Sequence, residues 1–168
     1  CHGSYCGRSY HYQWYYTCWR RNYRRDTNEN LCPRGLNLQY IIHKIMLLEN
    51  KFYRILSEER GEGLSAKYHV AILPEFDVYN GHFPGDPVCP GVCNIETIKE
   101  CAILLSGEQL RYSTIKQCRL TALATPTVCP EVDVQVSLSP SVEGYSVQAS
   151  IADDKQTYMI LKGQLDKA

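Results

Sequence analysis

Along residues 51–59, KFYRILSEE alternates apolar and polar positions, and after RGEG the run LSAKYHVAIL resumes with β-forming residues, which predicts a β-hairpin. Between 75 and 90 the alternation stops, and Asn80-Gly81, Pro84-Gly85 and two further prolines predict a proline-stiffened loop. From Gly91 the period changes. Val92, Ile95, Ile98, Ala102 and Leu105 recur at steps of three and four until Ser106-Gly107, predicting one helix of roughly four turns. Strand-like runs follow: STIKQCRLTAL, EVDVQVSLS, GYSVQASIA and, past a turn at Asp153-Asp154, TYMILKGQL. Strands, one long helix and a meander of strands predict an α+β domain whose antiparallel sheet wraps a central helix.

Composition divides the chain before that domain. Lys plus Arg and Asp plus Glu both total 18 in 168 residues, so net charge offers no general attraction to nucleic acid or an anionic membrane. The 44% hydrophobic content suffices for one core. Neutrality is an average, however: residues 1–45 hold seven basic and two acidic residues (+5), leaving eleven and sixteen (−5) for 46–168. The first 45 residues also carry both Trp and seven of the thirteen Tyr, without either periodicity. They read as an unpatterned leader, and the domain is expected over 46–168, starting near Met46. Upstream sequence translated ahead of the true start is preferred for this leader. Its rivals are a basic aromatic arm that stacks on single-stranded nucleic acid and a processed segment lipidated at Cys1.

The longest apolar candidate, IIHKIMLL at 41–48, is too short to span a bilayer, so no membrane role is expected. Nine cysteines include no CxxC pair, and Cys89, Cys93 and Cys101 fall in or beside the predicted helix. Buried free thiols are preferred to a zinc site, which suits a reducing cytoplasm.

The chemistry concentrates in GHFPGDPVCPGVCNIE, residues 81–96. Phe83, preceding Pro84, is expected in extended geometry, and Pro84-Gly85 suits a tight turn, so His82 sits on a restricted backbone. Pro90 at the helix start gives up an N–H that would lack a partner there. Gly91 leaves its own amide open at a helix N-terminus, a seat for an oxygen gaining negative charge. Glu96 lies at the edge of the apolar stripe, where a carboxyl group partly out of water keeps its proton. One helix start thus offers a base, an oxyanion donor and an acid, the set needed to remove a proton beside a thioester carbonyl while a hydroxyl leaves the next carbon. Against this stands the ordinary alternative: a loop histidine is usually satisfied by backbone, and a helical glutamate is usually solvated. Spacing alone leaves the two readings even.

The stretch resembles the signature of the hotdog-fold 3-hydroxyacyl-[acyl-carrier-protein] dehydratases, whose bacterial members run H-F-P-G-x-P-x-x-P-G-V-x-x-I-E. Weaker similarity extends to LPEFDVYNGHFPG and LATPTVCPEVDVQV, so that about residues 50–165 resemble the family. The resemblance implies that His82 is the catalytic histidine, that Glu96 is its acidic partner and that the Gly91 amide holds the thioester carbonyl. It further implies homodimers, or higher homo-oligomers of such dimers, in which two sheets become continuous and each site draws His82 and Glu96 from different chains. The implied function is dehydration of a 3-hydroxyacyl thioester on acyl carrier protein, in fatty acid or related polyketide or polyene synthesis, without metal or redox cofactor. A hydrophobic tunnel along the helix is expected, with Phe83 and Val92 near its mouth. Lys67, Lys99, Arg111, Lys116 and Arg119 are the candidate basic patch for the acidic carrier. A hotdog thioesterase and a non-catalytic module that binds the carrier are the alternatives. The chain departs from the family pattern at Cys89, Cys93, Asn94 and Thr97, and reads Pro130-Glu131-Val132 where members often carry proline-glycine-aspartate. These differences point toward a specialised pathway.

Overall fold

The hairpin predicted near residue 51 forms from β1, Tyr53–Arg60, and β2, Ser65–Ile72. Its strands pair antiparallel from Tyr53↔Ile72 to Arg60↔Ala66, with a bulge between Ile55 and Ser57. The computed structural model describes residues 46–83 and 85–168. The leader assigned to 1–45 and the turn at Pro84 lie outside the described residues. After β2 come a single helical turn, α1, Val78–Gly81, and the long helix α2, Gly91–Ser106. Four strands complete the chain: β3, Leu110–Leu120; β4, Glu131–Pro140; β5, Gly144–Ala152; and β6, Thr157–Lys167.

All six strands join one sheet in the order β1-β2-β4-β5-β6-β3, every pair antiparallel. Period-two patterning decides which face each side chain takes. On β4, Val132, Val134, Val136 and Leu138 are buried while Glu131 and Gln135 face outward; on β2, Ala66, Tyr68, Val70 and Ile72 are the buried set. The sheet's inner face packs on α2, which touches β2, β3, β4 and β5.

Helix α2 starts and stops where the sequence predicts. Pro90 is the N-cap in extended geometry, and its carbonyl accepts the Cys93 and Asn94 N–H groups at 2.9 and 3.2 Å. Gly107 ends the helix at φ 72, a left-handed conformation that glycine adopts freely, donating its N–H to the Ile103 carbonyl at 2.8 Å. The buried face differs from the expected stripe. Cys93, Asn94, Thr97, Ile98, Cys101, Ala102 and Leu105 are buried, whereas Ile95 is half-buried and Val92 is 43% exposed. A helix enclosed by a curved sheet buries more than one stripe, so small and polar residues enter the core alongside aliphatic ones. None of the helices among the described residues is long and apolar enough to cross a membrane.

At the far end of the sheet, β3 has only Leu110 fully buried, and Ile115 and Leu120 stand exposed on this edge.

Candidate active site

His82 is the residue on which α1 ends, with φ −124 and ψ 92. Its Nδ1 lies 2.9 Å from the Val88 carbonyl oxygen. A carbonyl only accepts, so Nδ1 carries a proton, and Nε2 is the ring nitrogen that the neutral tautomer makes available as a base. The backbone partner expected of an ordinary loop histidine is therefore present, and it fixes the tautomer that a base requires.

Phe83 departs from expectation. Its φ is 58, in the left-handed region and not the extended one, although proline follows it. The chain turns sharply here: the Asp86 N–H reaches the Phe83 carbonyl at 3.1 Å, and the Phe83 ring stands edge-on to the His82 imidazole at 4.8 Å. These contacts hold a conformation that costs a non-glycine residue about 1 kcal/mol or more, and such strain concentrates at functional sites. Phe83 is 62% exposed, as a residue at a binding mouth or a subunit contact would be.

Gly91 opens α2, and an amide at the first helical position has no intrahelical acceptor. A Cβ at Gly91 would come within 3.2 Å of Leu120 Cδ1, so the end of β3 lies over the helix start. Nothing in the local pattern marks Leu120 as a neighbour of this amide. Val92 stays on the exposed side beside it.

Glu96 is half-buried one turn further along α2, and Lys99 Nζ stands 2.6 Å from its Oε1. Oε1 is shielded from solvent, and the contact lacks hydrogen-bond alignment, which makes it an ion pair. An apolar setting alone was expected for this carboxyl, whereas the structure sets a cation against it. Among the described residues no hydrogen bond or ion pair joins His82 to Glu96 within one chain.

Glu100, one turn past Glu96, drew no notice in the sequence. It is 1% exposed, and its carboxylate accepts the Leu47 and Leu48 N–H groups on Oε1 at 2.5 and 2.9 Å, with the Glu49 N–H and the Tyr53 hydroxyl on Oε2 at 3.1 and 2.9 Å. Burial pushes its pKa up, and these donors pull it down. It ties the segment before β1 to the central helix. A glutamate within a helix of mixed polarity gives no local sign of such a role.

Four cysteines, Cys89, Cys93, Cys101 and Cys129, are buried free thiols, as expected, and Cys118 is exposed. Burial pushes Cys89 up to about 11 and Cys93 up to about 12, which keeps both protonated and unreactive. Of the candidate docking cations, Arg111, Lys116 and Arg119 are exposed on β3. Lys99 does not belong with them, because its side chain is only 16% exposed and is engaged by Glu96. Lys67 pairs with Glu59 at 3.2 Å and lies 3.9 Å from Asp133. A shallow depression of about 210 Å³ lies over β4, β5 and β6, between residues such as Gln135, Gln148 and Lys162, and includes none of the site residues. It is not the tunnel expected along α2.

The chain matches a family described as ApeI-like, ApeI dehydratase, over residues 57–161. It is 43% identical over 68 residues to a 3-hydroxyacyl-[acyl-carrier-protein] dehydratase FabZ of Janthinobacterium sp. (strain Marseille), a match covering 40% of this chain and 41% of that protein. With the protein of the same name from Novosphingobium aromaticivorans, identity is 31% over 133 residues, covering 71% of this chain and 84% of the other. The chain spans roughly half the length of most of the curated relatives it matches, from 41% to 64% in the first five. Among solved structures, a chain of the dehydratase heterocomplex ApeI:P from Xenorhabdus doucetiae superposes with a TM-score of 0.58 at 20% identity, covering 67% of this chain and 96% of that one. That likeness establishes a common fold. With a family match running from β1 into β6 and a relative covered over most of its length, this chain belongs to the ApeI-like dehydratases and has their hotdog fold.

Proposed function

We propose that this chain dehydrates a 3-hydroxyacyl thioester, carried on the phosphopantetheine arm of an acyl carrier protein, to the trans-2-enoyl thioester. His82 Nε2 takes the proton from the carbon beside the thioester carbonyl, and the Gly91 N–H stabilises the oxygen that gains charge. Glu96 delivers a proton to the departing hydroxyl. Phe83 and Val92 line the entrance for the acyl chain. The observation that carries this reading is the Nδ1–H bond from His82 to the Val88 carbonyl, which aims a free Nε2 from a strained turn beside a helix N-terminus. FabZ-named relatives and the ApeI-like family match support the substrate class. The elimination is redox-neutral and needs only the base, the acid and the amide.

The site is proposed to be completed across a dimer. Among the described residues no hydrogen bond or ion pair joins His82 to Glu96, and β3 pairs on one side only, with Ile115 and Leu120 exposed, the kind of strand that seeks a partner. A second copy is the expected partner. A different hotdog chain is a second reading, because the similar Xenorhabdus structure is described as a heterocomplex. Arg111, Lys116 and Arg119 are the proposed contacts for an acidic carrier protein, and the setting is a reducing cytoplasm.

Incubating the protein with 3-hydroxyacyl thioesters of several chain lengths tests the reading. Enoyl product is expected, and H82N should lower kcat by roughly 10²–10⁴-fold. Free thiol would mean a thioesterase, and an unchanged substrate would mean a binding module.

A further inference from the structure

Among the described residues the buried polar side chains are Asn94, Thr97, Glu100 and Thr125. All but one are satisfied. The Thr97 hydroxyl donates to the Cys93 carbonyl at 2.9 Å, the Glu100 carboxylate accepts the Leu47, Leu48, Glu49 and Tyr53 donors, and the Thr125 hydroxyl accepts the Val128 N–H at 3.1 Å. The Asn94 carboxamide has no hydrogen-bond partner, although the residue is only 6% exposed and shares a stripe of α2 with Ile98, Cys101 and Leu105. A donor and an acceptor kept from water without partners destabilise a fold, so such a group asks for a function.

Its place on α2 says where the missing partner belongs. Asn94 comes three residues after Gly91, on the same face of the helix and about 4.5 Å further along its axis. Helical side chains lean toward the N-terminus, so the carboxamide reaches back to the turn that carries the Gly91 N–H. Gly91 sets no side chain in its path, and the Pro90 carbonyl fixes the Asn94 backbone by accepting its N–H at 3.2 Å. The carboxamide is also not sealed in. Neither its oxygen nor its nitrogen is wholly buried, so the little accessible surface of the residue includes its polar end.

We propose that Asn94 is a second oxyanion donor, its Nδ2–H reaching the thioester carbonyl oxygen that the Gly91 N–H also holds. This rests on the dehydratase reading above. When His82 takes the proton from the carbon beside that carbonyl, the C–H electron pair moves toward the carbonyl and its oxygen gains charge. Two neutral donors on one helical turn then share that charge. The oxygen carries little of it in the bound substrate, so the second donor acts mainly on the transition state and shows in kcat more than in KM.

The test is turnover of a 3-hydroxyacyl thioester by the wild type, N94L, N94A and H82N, with circular dichroism and thermal melting of each. Leucine copies the branching of asparagine without a polar atom. N94L is expected to melt at or above the wild-type temperature, because the unpaired amide is gone, and to lose roughly 10²–10³-fold in kcat with KM within about threefold. Its pH profile should keep the wild-type shape, since asparagine does not titrate. A structural role predicts the opposite pair, a lower melting temperature with kcat intact, and a wild-type kcat in folded N94L overturns the proposal. If N94L fails to fold, the smaller N94A decides by the same loss of kcat. Should the wild type form no enoyl product, or H82N match it, the dehydratase site itself is misassigned; should H82N be inactive while both Asn94 variants turn over as the wild type does, only the role of Asn94 falls.

Discussion

His69, on the outer side of β2, contacts two carboxylates at once, with Nδ1 2.8 Å from Asp133 Oδ1 and Nε2 3.1 Å from Glu131 Oε2. Only an imidazolium donates from both nitrogens, and these bonds raise the His69 pKa above its ordinary value. Because the folded value lies above the unfolded one, the stabilisation is complete below the unfolded pKa, about 6.5, and is lost as pH rises through the folded pKa. Melting curves of H69N and wild type should therefore differ most near pH 6, by no more than about 1 kcal/mol for so exposed a cluster, and converge in alkaline buffer. A gap that stays constant with pH would remove the charge from the account. Residues differ in how far the sequence reveals them. The helix start at Gly91 and the helical place of Glu96 are local matters and legible in the sequence, whereas the roles of His82, Gly91 and Glu96 are implied by the family resemblance and not by spacing. Glu100 takes its place from a tertiary contact, the segment at 47–49, which no local pattern announces.

Among the described elements, β3 pairs with β6 alone. Gly163 makes that pairing possible where the register shifts between Ile115 and Gln117, because a Cβ there would fall 2.6 Å from the Thr114 carbonyl oxygen. G163A should destabilise the fold by roughly 1–3 kcal/mol through this overlap and loosen β3 in particular. Hydrogen exchange that left β3 amides as protected as those of β5 would contradict it. The hairpin, the long helix with its Gly107 stop and the four later strands were all legible, because period and turn residues act within a few positions. The helix's buried face was not. Periodicity selects the most apolar stripe, whereas a sheet curved around α2 also encloses Cys93, Asn94, Thr97 and Cys101.

At the scale of the whole molecule, the proposed division of the site between subunits predicts complementation. H82N and E96Q, each inactive alone, should regain activity when mixed under conditions that exchange subunits, because a mixed dimer carries one site with both residues intact. Random exchange makes about half the dimers mixed, with one good site in two, so recovery should approach about a quarter of wild-type turnover. No recovery in verified mixed dimers would place both residues of a site within one chain. For this protein the sequence by itself determined the order of the elements and the start and stop of the long helix, since these follow from nearest-neighbour sterics and short periods. Only the tertiary structure decided that the Glu96 carboxylate is half-buried, that Glu100 is buried against residues 47–49 and that, among the described residues, β3 pairs on one side only. Those outcomes depend on which surfaces meet when a sheet closes over a helix, and contacts between residues far apart in the chain carry no local signature.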